Sequence, residues 1–203
     1  GKQTLPVSTT ANPLGYLKYT YTASEIQPDM LNADITQTTD SPSWGGLYLQ
    51  YFEKFDQVQQ QKGILSVTKK LFIEKIGSDG KQELLPLGKE KLKTGDKVIT
   101  RLTLSLKQDM DFLYLKDFRA ACFEPIGQLS GNQWKFGTVY YEESKDAVTN
   151  FFFNSLAKGT YVLEYPVWVN QAGTYQDGIA TFQSMYAPEY TAYSEAGKIT
   201  VTK

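Results

Sequence analysis

Cys122 is the residue whose type most directly suggests covalent chemistry. It begins the segment Cys122-Phe-Glu-Pro125, which is half of an internal thioester signature. That signature needs a glutamine three residues after the cysteine, and the thiol is acylated by the glutamine side chain. Because Pro125 occupies the glutamine position, this segment cannot form a thioester. We therefore predict an inert, buried thiol at the end of a strand.

Five carboxylates are candidates for binding a cation or for acid-base work. Asp109 and Asp111 lie one residue apart in a predicted turn, but calcium loops use more carboxylates and a glycine. Glu142, Glu143 and Asp146 form a second acidic cluster on a predicted loop. We interpret the pair as part of a turn and the cluster as a solvated face. The prediction is no metal ligand and no cofactor site.

The chain contains no histidine and one cysteine. Without histidine it cannot build a Ser-His-Asp or Cys-His arrangement, or the usual zinc sites. A single cysteine also excludes an internal disulfide. We predict that the chain has no catalytic residues and is not an enzyme.

The charge balance gives no electrostatic case for nucleic acid. The 203 residues include 21 Lys and Arg and 22 Asp and Glu, which gives a net charge of −1, and the two signs are interspersed. No apolar run approaches the roughly 18–20 residues that cross a bilayer, so we predict no direct membrane insertion. No positively charged, apolar leader opens the chain, and we expect the chain to be a segment of a longer protein.

Aromatic residues dominate the apolar composition, with 14 Tyr and 11 Phe. Aromatics favour strands, where they pack across neighbouring strands. Trp134 and Trp168, together with the tyrosine-rich strands, could form a sugar-binding platform. Packing in the core is the commoner fate of such residues, and both interpretations stay open at this point.

The segment from Asp146 to Pro188 organises the fold. Phe151–Phe153 predicts a short buried strand, and Tyr161–Val169 alternates with a period of two, which predicts a second strand. Pro166 cannot donate a backbone hydrogen bond, so that strand is expected at an edge or a bulge. A further strand is predicted around Phe182.

Alternation elsewhere predicts an antiparallel sandwich. Val98–Leu106 has one apolar and one polar face, and seven or eight strand signals follow residue 63. Before residue 63, three strands are predicted in a smaller sheet fragment: Tyr16–Thr22, Ala33–Thr38 and Gly46–Phe55. The polar run Gln57–Gly63 is predicted as a linker, with a short helix as the alternative. The predicted fold is all-β: a sandwich over residues 63–203 and a β segment over residues 1–62.

Several short motifs resemble the last macroglobulin-like domain of bacterial alpha-2-macroglobulin family proteins. The motifs are Gly95–Val98 (Gly-Asp-Lys-Val), Asp117–Ala120 (Asp-Phe-Arg-Ala), Leu156–Tyr161 (Leu-Ala-Lys-Gly-Thr-Tyr), Ser184–Pro188 (Ser-Met-Tyr-Ala-Pro) and Ala196–Val201. The segments Arg119–Pro125 and Asn150–Phe153 are most similar to the Bacteroidetes branch. Gly45–Tyr51 resembles the final strand of the CUB-like domain that precedes it in the family.

The resemblance implies a function that no single motif shows. Proteins of this family are large periplasmic or envelope-anchored scaffolds that trap proteases after cleavage of a bait segment. A thioester in a helical domain can then bond the protease. The partners implied for this chain are the thioester domain and other macroglobulin-like domains of its parent protein, with proteases as the parent's targets.

In the family, a tyrosine of the last domain can cover the thioester and protect it from water. Tyr186 and its neighbour Met185 lie in the matching segment and are the candidate interdomain contact. The alternative is that the Tyr186 ring closes the bottom of the sandwich. Two other classes of function, a carbohydrate-binding module and a structural adhesin module, also fit an aromatic β-sandwich.

Overall fold

The computed structural model describes residues 18–32, 34, 36, 40, 42, 44–88, 91–127, 129–135 and 137–203. The chain divides into two compact units, residues 1–50 and 51–203. In the first unit the described residues contain a 3₁₀ helix, Pro28–Leu31, and no strand. Most of the strand predicted at Ala33–Thr38, and the start of that at Tyr16–Thr22, lie outside the described residues.

The strand predicted at Gly46–Phe55 is wrong. These residues are irregular up to a 3₁₀ turn at Phe55–Gln57, and both Tyr48 and Phe52 are exposed. An alternating pattern supplies two faces, but a strand also needs a neighbouring strand to pair its backbone groups. No such pairing is found for this segment in the described part of the chain.

The second unit contains fourteen strands in the residues that the structure describes. They are β1 (Leu65–Ile76), β2 (Gln82–Pro86), β3 (Leu92–Lys93), β4 (Lys97–Leu106), β5 (Met110–Phe118), β6 (Phe123–Pro125), β7 (Gly131–Lys135), β8 (Thr138–Ser144), β9 (Val148–Leu156), β10 (Gly159–Val169), β11 (Gly173–Asp177), β12 (Ala180–Ser184), β13 (Thr191–Tyr193) and β14 (Gly197–Thr202).

Two large antiparallel sheets form the sandwich. One has the order β2-β1-β4-β10-β6 and the other β13-β12-β5-β9-β8-β7, while a small third sheet has the order β11-β14-β3. Leucines of β4, such as Leu102 and Leu104, and the phenylalanines Phe151, Phe153 and Phe182 of the facing sheet belong to one buried cluster. Burial of this much apolar area drives the two sheets together. The predicted all-β sandwich is confirmed.

Strand β10 fits the prediction made from Pro166. On one side β10 pairs with β4 along nearly its whole length. On the other side β6 pairs with only its last three residues, Val167–Val169. The carbonyl of Pro166 accepts a hydrogen bond from Ile126 N at 3.2 Å, just beyond β6. The N and O of one strand residue point to the same side, so Pro166 N faces the end of β6, where the pairing with that strand stops.

The polar run predicted as a linker is attached to the sandwich. Gln61 and Tyr193 exchange two backbone hydrogen bonds, of 3.0 and 3.1 Å. The side-chain amide of Gln60 also donates to a β1 carbonyl at 2.7 Å. Because of these bonds, the segment belongs to the second unit, and the predicted boundary between residues 62 and 63 falls inside that unit.

Candidate functional site

The loop between β12 and β13 presents Met185 and Tyr186. It is closed by its own hydrogen bonds: Ser184 N donates to Tyr190 O at 3.0 Å, and Ser184 Oγ accepts from Ala187 N at 3.2 Å. Ser184 is itself buried, so the start of the loop is fixed by the sandwich. The hydrogen bonds hold Met185 and Tyr186 in a defined turn rather than in an open loop.

The side chains of this turn point to solvent. Tyr186 is 80% exposed and Met185 is 49% exposed. The alternative that the Tyr186 ring closes the bottom of the sandwich is therefore wrong, since a ring in that role would be buried. The role of the two residues as an interdomain contact stays a prediction.

Phe112 on β5 is the third apolar residue at this end of the sheet. Its ring contacts that of Tyr186 edge to face, with 5.3 Å between ring centroids and planes 88° apart. Its carbonyl accepts a hydrogen bond from Met185 N at 2.9 Å. Phe112 is 47% exposed, so the three residues form one surface cluster, the Phe112–Met185–Tyr186 patch.

Phe112 has a backbone conformation that bulky residues rarely adopt. Its φ is +51°, and it is the one non-glycine residue with positive φ in the part of the chain that the structure describes. The left-handed region is unfavourable for a side chain with a Cβ and is tolerated best by Gly, Asn and Asp. The sequence gives no sign of this conformation, because phenylalanine in an apolar run predicts an ordinary strand residue.

A buried charged cluster lies at the other end of β5. Lys69 Nζ lies 3.0 Å from Asp117 Oδ1 and 2.9 Å from Asp177 Oδ1, with the Lys69 side chain 3% exposed. Tyr165 donates to Asp117 Oδ2 at 2.5 Å. The four residues, from β1, β5, β11 and β10, join all three sheets, and we refer to them as the Lys69 junction.

Close backbone approach completes the Lys69 junction. Lys69 Nζ also donates to the carbonyls of Phe118, at 2.7 Å, and Gly178, at 3.0 Å. A Cβ on Gly178 would lie 2.1 Å from the Phe118 oxygen, so only glycine permits this approach. The ammonium is thus surrounded by oxygen atoms, as a buried cation must be.

The ionisation of the Lys69 junction follows from burial and charge. Burial disfavours the Lys69 ammonium, but Asp117 and Asp177 more than offset this, so the pKa of Lys69 is raised. Burial raises the pKa of Asp177 in spite of the neighbouring ammonium. Burial, and then the charge of Asp117, raises the pKa of Tyr165 well above its ordinary value. The cluster is a structural ion pair that lies inside the fold.

The remaining candidates for chemistry have structural surroundings. Cys122 is buried directly before β6, and burial raises the pKa of its thiol to about 11, as predicted for an inert cysteine. Asp109 accepts a hydrogen bond from Lys158 N at 2.7 Å. Among the described residues, no group of three or more His, Cys, Asp or Glu side chains could hold a metal ion.

The acidic cluster is not the loop that the sequence predicted. Glu142 and Glu143 lie within β8 and are half-buried. Burial raises the pKa of Glu142, whereas hydrogen bonds from Asn150 and Lys145 lower the pKa of Glu143. Asp146 follows β8, and its backbone carbonyl accepts a hydrogen bond from Arg119.

The two tryptophans do not form a common platform. Trp134 lies on the edge strand β7 of the six-stranded sheet, and Trp168 lies on β10 of the five-stranded sheet. Both are exposed, but they belong to different sheets of the sandwich. The interpretation of these residues as one sugar-binding surface is therefore wrong, and so is their packing in the core, since both side chains are exposed.

A sequence profile of the bacterial alpha-2-macroglobulin MG10 domain matches residues 65–189. This is more than half of the chain and covers β1 through the Phe112–Met185–Tyr186 patch. The chain belongs to the bacterial alpha-2-macroglobulin family. A comparison with curated protein sequences found no match.

Solved structures of two bacterial alpha-2-macroglobulins share the fold. Salmonella alpha-2-macroglobulin reacted with methylamine matches with a TM-score of 0.55 and 20% identity over 72% of this chain and 10% of that chain. Escherichia coli alpha-2-macroglobulin activated by porcine elastase matches with a TM-score of 0.55 and 18% identity, over 72% and 14%. The native E. coli protein gives a TM-score of 0.54 and 18% identity, over 77% and 10%.

The MG10 domain is thus a small part of the proteins it resembles, since the chain spans about a tenth of their length. At these identities the structures establish the shared sandwich fold and nothing about individual residues. In the described part of the chain, no helix is long and apolar enough to span a membrane.

Proposed function

We propose that this MG10 domain is a non-catalytic module of an alpha-2-macroglobulin-like envelope protein. It contributes to protease trapping by packing against other domains of its parent protein. Met185 and Tyr186 supply the contact, and the thioester-containing helical domain is the partner. The parent is placed in the periplasm or cell envelope, as the family resemblance implies.

The observation that carries the proposal is the exposure of a fixed apolar turn. An exposed tyrosine and methionine on a flexible loop would be unremarkable surface residues. Here the turn is tied to the sandwich through the buried Ser184, and the Tyr186 ring rests against Phe112. Apolar side chains held in one orientation towards solvent are typical of a contact surface.

The related solved structures support the choice of process. They include E. coli alpha-2-macroglobulin activated by elastase and by trypsin, and a Salmonella protein reacted with methylamine. Another is a tyrosine-to-glycine mutant of the Salmonella protein. We propose that the parent protein of this chain is likewise activated by a protease. The MG10 domain itself contributes by packing against neighbouring domains of that parent.

The test is a substitution in the parent protein. Tyr186→Ala should alter the parent's reaction with a protease, measured as the fraction of protease retained in a complex after cleavage. If the parent contains a thioester, methylamine should also consume it faster, because the shielding ring is gone. Trp134→Ala, which removes another exposed ring from the opposite edge of the same sheet, is the matched control. Equal behaviour of wild type and Tyr186→Ala in both assays would contradict the proposal.

A further inference from the structure

We propose that Phe112 is a positioning residue, which holds Tyr186 in the orientation that the contact uses. The inference rests on the proposed function of Met185 and Tyr186. It concerns a residue on another strand, far from the turn in sequence. Phe112 would act through the ring of Tyr186 and through the backbone of Met185.

The first step is the strained backbone of Phe112. A φ of +51° is unfavourable for phenylalanine. The pairing with β9 passes over Phe112 itself, while Asp111 and Leu113, on either side, keep one register. Left-handed non-glycine residues persist only where their surroundings fix them, and they cluster at functional sites. Asparagine or glycine would fit this position with less strain.

The second step is what the strained conformation achieves. A strand residue with ordinary dihedrals would direct its ring perpendicular to the sheet. At φ +51° the ring of Phe112 instead meets the Tyr186 ring edge to face, at 5.3 Å and 88°, which is a favoured aromatic geometry. The Phe112 carbonyl also accepts from Met185 N at 2.9 Å. One residue therefore fixes both the start of the turn and the ring that it presents.

A Tyr186 ring that is held in place before binding strengthens the contact. A free tyrosine loses rotamer freedom when a partner buries it, and this loss weakens the contact. A ring that is already held by Phe112 has less freedom left to lose. The strain at Phe112 is then a stability cost that is offset by a preorganised contact.

The experiment compares the 203-residue chain with its parent protein. Hydrogen exchange of residues 183–190 is measured in both, and the ratio of the two rates reports burial of the turn by the rest of the parent. Phe112→Asn removes the ring and relieves the strain. It should reduce the parent-dependent protection about tenfold, while the melting temperature of the chain stays equal or rises. Phe112→Gly is the second variant, because it accepts the same φ.

A spectroscopic measurement tests the mechanism directly in the chain. The ring protons of Tyr186 should show ring-current shifts from Phe112, and these should disappear in Phe112→Asn. Trp134→Asn removes an exposed ring at the other edge of the sheet and should change neither the shifts nor the protection.

The outcomes separate this inference from the proposed function. If Tyr186→Ala abolishes the protection and Phe112→Asn leaves it intact, the contact stands and the positioning role is wrong. If neither variant changes the protection, both proposals are wrong. A large fall in melting temperature in both Phe112 variants would show that the ring is a packing residue, and unchanged Tyr186 ring shifts would also overturn the inference.

Discussion

Strand β5 carries a buried charge near one end and an exposed aromatic ring near the other. Asp117 is fully buried and faces Lys69 and Tyr165, whereas Phe112 is half-exposed and contacts the exposed ring of Tyr186. Strand β12 pairs with β5 and connects the same two regions. It begins shortly after Asp177 and ends at the turn that carries Met185 and Tyr186. Each region reverses the usual placement of polar and apolar side chains.

The two reversals have different physical grounds. At the Lys69 junction every charged group faces an opposite charge or a carbonyl, so burial of the ammonium is compensated within the fold. At the Phe112–Met185–Tyr186 patch about half or more of each apolar side chain stays exposed, and the backbone of Phe112 is strained as well. Buried charges that are paired within the fold indicate a structural role. Exposed apolar side chains on a strained backbone indicate a binding partner.

The largest effect is expected from removing the central cation of the Lys69 junction. Lys69→Met should lower the free energy of unfolding by about 3–5 kcal/mol, because Asp117 and Asp177 are left buried without their counter-charge. Urea denaturation of the chain measures this. Lys81→Met, which breaks an exposed pair with Asp79, is the control and should change stability by less than about 0.5 kcal/mol.

A combined variant checks the cause of that loss. Lys69→Met with Asp117→Asn and Asp177→Asn removes both unpaired charges and should recover part of the stability. If Lys69→Met alone lowers stability by less than about 1 kcal/mol, the junction is not the fixed point that we describe.

The second prediction concerns the backbone approach at the Lys69 junction. Gly178→Ala should lower the free energy of unfolding by about 1–3 kcal/mol, since the added methyl group meets the Phe118 carbonyl and must displace it. Gly131→Ala is the matched control, because a Cβ there meets nothing within 4 Å. Similar thermal unfolding of the two variants would contradict the close packing of this region.

The third prediction uses pH. Burial, with a smaller effect of the Asp177 charge, raises the pKa of Cys122 from 9.0 to about 11. A raised pKa in the folded state means that the folded chain keeps its proton longer than the unfolded chain. Stability from this group is therefore fully present below about pH 9 and is lost as pH rises through about 11. The slope is at most about 1.4 kcal/mol per pH unit for one proton.

The measurement is urea denaturation from pH 8 to pH 11. The charges of Asp117 and Asp177 more than offset burial and keep Lys69 protonated above its ordinary pKa, and burial keeps Tyr165 protonated above its own. The wild type should therefore lose stability steadily above pH 9. Cys122→Ala should have a shallower slope between pH 9 and 11. If the two slopes coincide, the thiol is not held in its neutral form by the fold.

The sequence pattern predicts the β-sandwich but not the side-chain geometry at the two ends of β5. Alternation predicted β4 and β10 correctly, because burial of one face of a strand follows directly from side-chain period. The same rule contained an unused sign of the Lys69 junction: Lys69 and Asp117 occupy inward positions of otherwise apolar alternations. A charge at an inward position requires a buried partner, although the sequence does not say which one.

The exposed patch has no such sign in the alternation of the strands. Met185 and Tyr186 are predicted as a contact only because their motif resembles one of a known family, since no periodicity distinguishes them. The conformation of Phe112 cannot be predicted either, because nothing in the local sequence indicates a positive φ and the turn that Phe112 contacts lies some seventy residues later in the chain. Local propensity cannot report a conformation that tertiary contacts impose.

The smallest change in stability is expected for a substitution of Tyr186, in the exposed Phe112–Met185–Tyr186 patch. In the isolated chain, Tyr186→Ala should lower the free energy of unfolding by less than about 1 kcal/mol, as substitutions at exposed positions do. The ring loses only one edge-to-face contact, with Phe112. Urea denaturation at neutral pH is the measurement.

Leu113→Ala is the matched control for this small effect. Leu113 is the neighbour of Phe112 on β5 but faces the core and is fully buried, so its truncation should lower stability by about 2–5 kcal/mol. The two substitutions act at the same end of the sheet on opposite faces. A loss of 3 kcal/mol or more for Tyr186→Ala in the chain alone would mean that the ring stabilises the sandwich itself, and the patch would then no longer differ in kind from the Lys69 junction.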